Sequence, residues 1–128
     1  MKIKSFVTVM VLAMCLVGCK REVPDLSKAN AGIVATHSRL GLVDNVTNST
    51  LSPLQVKALS DWVSSHRTNW YWKFEDTAPG TLVFLEHDGV AVTAVNIREQ
   101  FVCVGDTYRD LTPSEWAELQ KIIHGQNG

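Results

Sequence analysis

Thr81-Leu82-Val83-Phe84-Leu85-Glu86-His87 and Val90-Ala91-Val92-Thr93-Ala94-Val95-Asn96-Ile97, parted only by Asp88-Gly89, decide the fold. Two runs rich in β-branched and apolar residues flank a dipeptide suited to positive φ at both positions. That is the pattern of a two-residue type I′ hairpin. Such a loop pairs His87 with Val90, Leu85 with Val92 and Val83 with Ala94. One face of the hairpin then carries Val83, Leu85, Val92 and Ala94, and the other carries Leu82, Phe84, Ala91, Thr93, Val95 and Ile97. Both faces are fairly apolar, so the second also calls for a cover, from helices or from a partner.

Outward from the hairpin, Arg98-Glu99 is a polar break, and Gln100 to Val104 reads as a third strand closed by Gly105-Asp106. Upstream, Thr77-Ala78-Pro79-Gly80 turns the chain. Before it, Trp70-Tyr71-Trp72-Lys73-Phe74 alternates as a strand or an extended connection. Gly32 to Ala35 and Leu40 to Val46 are short runs that suit strands. Two helices are signalled by the same grammar. Ser52-Pro53-Leu54-Gln55 and Thr112-Pro113-Ser114-Glu115 each supply a capping residue, a proline in the first turn and the third-position partner of a capping box. Val56, Leu59, Trp62 and Val63 follow the first cap at helical spacing, and Trp116, Leu119, Ile122 and Ile123 follow the second. The expected architecture is α+β, an antiparallel sheet of three or more strands packed against two amphipathic helices.

The N-terminus has a different character. Lys2 and Lys4 precede an apolar run from Phe6 to Val17, which ends in Leu16-Val17-Gly18-Cys19. A basic head, a short apolar middle and small residues at the end form a secretory signal, and the run is short of the ~20 residues of a spanning helix. Leu16-Val17-Gly18-Cys19 resembles the lipobox of bacterial lipoproteins. The resemblance implies cleavage before Cys19, a diacylglycerol on its thiol and acylation of its new amino group. Residues 1–18 would be the signal, 19–31 a polar lipidated tether and 32–128 a single small domain. Lys20 follows the modified cysteine. In enterobacterial lipoproteins Asp at that place marks retention in the inner membrane, so the likeness implies the periplasmic face of the outer membrane.

The mature chain would keep 110 of the 128 residues, enough for one core. Lys2 and Lys4 leave with the signal, so ten basic residues face thirteen acidic ones, a net charge of −3 with histidines neutral. No basic stripe suggests a nucleic-acid partner. Of the three cysteines, the lipobox resemblance implies that Cys15 is discarded and Cys19 lipidated. Cys103 then stands alone inside Phe101-Val102-Cys103-Val104, as a small buried hydrophobe. There is no Gly-x-Ser-x-Gly, phosphate loop or His-Glu-x-x-His. His37, His66, His87 and His124 lack metal-ligand spacing. Beyond the covalent lipid no cofactor is expected.

The feature with a binding flavour is Trp70, Tyr71, Trp72 and Lys73. Exposed aromatics there would anchor a partner. Alternatively Trp70, Trp72 and Phe74 close the core and leave Tyr71 and Lys73 outside. The expectation is a membrane-anchored, non-enzymatic protein-binding lipoprotein of the inhibitor or immunity kind. A second likeness points elsewhere. Thr81-Leu82-Val83-Phe84 followed by Asp88-Gly89-Val90, after an aromatic strand and a helix, is similar to the small lipoproteins of the outer-membrane β-barrel assembly machinery. That resemblance implies an assembly factor, although Leu51-Ser52-Pro53 stands where those proteins usually have Gly-Met-Thr. Cys19→Ser should abolish incorporation of labelled fatty acid and release the protein from the membrane fraction. Equal labelling of wild type and variant would refute the lipobox reading.

Overall fold

The computed structural model describes residues 20–40, 43–72 and 80–125, and in residues 37–40 and 43–47 the backbone alone. The expected hairpin is present as β4 (Thr81–His87) and β5 (Val90–Ile97). Asp88 and Gly89 hold φ of 49° and 83°, as a type I′ turn requires. The register differs from the expected one beyond the first two pairs. His87 pairs with Val90 and Glu86 with Ala91, but a bulge then sets Leu85 opposite Thr93 and Val83 opposite Val95. One extra residue reverses the parity of β5. Val95 and Ile97 therefore join Val83 and Leu85 in the core, all at most 2% exposed, while Val92 is 36% exposed.

Five further strands extend the hairpin. β1 (Ala31–Leu40) contains the first upstream run and continues through His37-Ser38-Arg39, whereas the second run, Leu40 to Val46, is divided, with Leu40 ending β1 and Val43 to Val46 opening β2 (Val43–Leu51). β3 (Trp70–Trp72), β6 (Phe101–Val104) and β7 (Thr107–Asp110) complete a seven-stranded sheet in the order β2-β1-β4-β5-β6-β7-β3. All its pairings are antiparallel. Gly105, at φ 61°, makes the turn from β6 into β7, so Gly105-Asp106 connects two strands where the sequence suggests the end of the last one.

Helices α1 (Pro53–Ser65) and α2 (Pro113–His124) both begin with the expected capping box. Val56, Leu59, Trp62 and Val63 of α1 are buried, as are Leu119 and Ile123 of α2, with Trp116 and Ile122 packed at the margin. Each fully buried large side chain contributes roughly 1.5–3 kcal/mol. The helices run antiparallel, because Gln55 at the start of α1 meets the end of α2 while Trp62 Nε1 donates to Glu118 Oε2 at 2.9 Å. Gln55 works at both ends of its amide. Its Oε1 accepts from the Ser52 N–H at 2.8 Å, and its Nε2 donates to the Ile122 and Ile123 carbonyls at 3.0 and 3.2 Å.

Residues 20–30 have the polar composition of a tether, but they lie against the domain. Leu26 is 2% exposed, and Val23 and Ala29 pack on the core. Asn30 exchanges hydrogen bonds with the Asp88 side chain and backbone, and His87 Nδ1 donates to the Lys28 carbonyl. The hairpin tip thus holds this segment down.

Gln55→Ala removes a cap from each helix and should lower unfolding stability by about 1–2 kcal/mol in urea titration. Gln55→Glu keeps the acceptor and loses the donor, so it should lose part of the same stability. Two variants indistinguishable from wild type would show that the shared amide carries no weight.

Candidate functional site

β3 follows α1 through Asn69, whose φ of 68° turns the chain back onto the sheet. Of the four aromatic-cluster candidates, Trp70 is 2% exposed, and its Nε1 donates to the His66 carbonyl at 2.5 Å. It belongs to the core and offers a partner almost no surface. Tyr71 points to the other side of the sheet and donates to Asp110 Oδ1 at 2.6 Å. Trp72 is 37% exposed at the sheet edge. Lys73, like Phe74 and Cys19, lies outside the described residues.

A charged knot lies behind Trp70. Arg109, on the core-facing side of β7, is 8% exposed. Its Nη1 reaches Glu115 Oε2 at 2.8 Å, and its Nε donates to the Thr68 carbonyl at 3.1 Å. The guanidinium carbon stands 5.8 Å from the Trp62 ring centroid, within range of a cation–π contact. His66 also stacks on Trp62, with ring centroids 3.8 Å apart. Its Nδ1 meets the Trp62 carbonyl at 2.6 Å, which can only accept, so the proton sits on Nδ1. Its Nε2 lies 3.4 Å from Glu115 Oε2. Glu115 Oε1 meanwhile accepts from the Thr112 N–H at 3.0 Å. Burial works to raise the Glu115 carboxyl, but the Thr112 N–H and the Arg109 guanidinium outweigh it and hold the group below its ordinary value.

Arg109 and Glu115 line a cleft of about 620 Å³ together with Trp70, Tyr71, Leu111 and Thr112, with Lys20 also contributing. The cation and carboxylate in it neutralise one another and share their hydrogen bonds locally, an arrangement that fixes structure. Cys103 is buried and unbridged, and its thiol hydrogen bonds to the Gly105 carbonyl at 3.1 Å. Burial pushes the thiol up, which disfavours the reactive thiolate. Among the described residues no cluster of three or more His, Cys, Asp or Glu could hold a metal, and no helix is long and apolar enough to cross a membrane.

The second face of the sheet is the other notable surface. Ile33 of β1 pairs with Phe84 of β4, and Phe84 pairs with Ala94 of β5. Ile33 and Phe84 are 37% and 43% exposed, and Val92 lies two residues from Ala94 on the same side. Towards β3 this face turns aromatic, with Tyr108 between Tyr71 and Phe101 at centroid distances of 6.1 and 5.6 Å. Sequence reasoning missed Arg109 and Tyr108 because it missed β7, although Thr107-Tyr108-Arg109-Asp110 alternates directly after a glycine turn. It assigned Glu115 to the cap alone, whereas the second oxygen holds Arg109.

No family model, curated protein or solved structure matches this chain.

The depressed Glu115 carboxyl sets a pH dependence. The folded group deprotonates at lower pH than the unfolded one, so its contribution is complete above the ordinary value of 4.5 and is lost as the pH falls through the folded value. The stability difference between wild type and Glu115→Gln should therefore be largest near neutrality and close on acidification below that value. Urea midpoints across the range test this, and a constant difference would contradict it.

Proposed function

We propose that this chain is a lipid-anchored, non-enzymatic protein-binding module, held through Cys19 at the periplasmic face of the outer membrane. In this reading it engages a protein partner through the outer face of its sheet. The observation that carries the binding surface is the cross-strand pair Ile33–Phe84, large apolar side chains left 37% and 43% exposed on strands that are not edges of the sheet. Contiguous exposed apolar surface of this kind marks interaction sites more often than isolated exposed residues do. The Arg109–Glu115 pair supports the non-enzymatic part, because both groups are committed to each other and to backbone atoms. The lipobox resemblance and Lys20 support the anchor and its destination.

A photo-reactive amino acid in place of Phe84, introduced in cells making the acylated protein, tests the surface. A discrete protein adduct is expected at position 84, absent when the probe replaces Lys57 on the helical side and lost when Ile33→Asp is added. Equal adducts at both positions, or none at 84, would overturn the assignment. A secreted hydrolase or toxin in the adduct favours the inhibitor or immunity role, and a β-barrel assembly component favours the assembly role.

A further inference from the structure

The first described residues after Cys19 are pinned to the sheet. Lys20 forms an antiparallel bridge with Tyr71, and the Arg21 N–H donates to the Trp70 carbonyl at 2.9 Å. The Arg21 guanidinium also reaches Asp106 at 3.6 Å, in the turn between β6 and β7. These contacts cover the outer edge of β3 with a rudimentary further strand. Its register counts Arg21 against Trp70 and Lys20 against Tyr71, so from Arg21 to Lys20 it runs in the direction of Trp72.

We infer that the domain lies on the membrane in one orientation, with the β3 edge and Trp72 seated in the phospholipid headgroup layer. The inference rests on the lipid-anchor reading of Cys19. A free twelve-residue tether would allow ~40 Å of reach and every orientation, at ~3.3 Å per residue. Here the slack is one peptide unit, ~3.8 Å from the Cα of Lys20 to that of the lipid-bearing residue. An acyl anchor sits at the acyl–headgroup boundary. Whatever lies beside Lys20 is therefore brought to that depth.

The side chains there suit it. Trp72, 37% exposed, and the half-buried Tyr71 are the residue types that partition to membrane interfaces. Lys20 adds a cation that favours anionic headgroups. Among the described residues, Asp106 is paired with Arg21 and Asp110 with the Tyr71 hydroxyl. Strand β2 forms the opposite edge, six strand spacings away, or ~28 Å at ~4.7 Å each. This orientation leaves the Ile33–Phe84 face clear of the bilayer.

The test uses the acylated full protein in phosphatidylethanolamine–phosphatidylglycerol vesicles carrying lipids brominated near the headgroup. Tryptophan fluorescence should be quenched, and Trp72→Phe should lose about half or more of that quenching, while Trp116→Phe keeps it. A Gly-Ser linker of about ten residues placed between Cys19 and Lys20 should abolish the quenching without changing co-sedimentation with vesicles. Co-sedimentation without quenching, or quenching that persists in Trp72→Phe, overturns the orientation and spares the anchor. Failure of the acylated protein to sediment overturns both.

Discussion

A single guanidinium holds one end of this fold together. Arg109 is nearly buried, so its charge must be matched inside the protein. Glu115 from the first turn of α2, the Thr68 carbonyl after α1 and the face of Trp62 do this from three directions. Those partners tie β7, the α1–β3 connection and both helices to one point. β3 is only three residues long and sits at the sheet edge, so it has few interactions of its own. Its place is set by Trp70, which pairs with Arg109 in the ladder and bonds to the His66 carbonyl.

The chain entering from the proposed lipid site docks on the outer side of β3, through Lys20 and Arg21. An anchor attached to a pinned strand orients a domain, whereas an anchor on a long tether only confines it. The two features divide the molecule's surface. In the proposed reading the β3 edge faces the membrane, and the exposed apolar patch around Ile33 and Phe84 on the outer face is left for a protein. The Arg109–Glu115 pair ties β7 to the first turn of α2.

Much of this was legible from local chemistry. Capping boxes are read within four residues, so Ser52–Gln55 and Thr112–Glu115 were visible, and so was the Asp88-Gly89 turn. The failures share one cause: each depended on contacts distant in sequence. The bulge at Leu85/Glu86 exchanged the faces of β5 because the sheet context, not the turn, decided the register. Residues 20–30 read as a tether because one Leu26 among polar neighbours has no periodicity, yet it finds a core pocket. The Trp70-Tyr71-Trp72 cluster divided: Trp70 went to the core and Trp72 stayed exposed at the edge, a distinction that alternation alone, which sets both on one face, could not make.

The central claim is that the segment after the proposed anchor is part of the sheet. Amide hydrogen exchange at Arg21 measures this directly, since its N–H donates to the Trp70 carbonyl and has nothing else to protect it in an unattached chain. The predicted result is protection at Arg21 comparable to that of the β3 amides. Exchange at the rate of an unstructured peptide, with β3 itself protected, would show that residues 20–21 hang free and would contradict the claim.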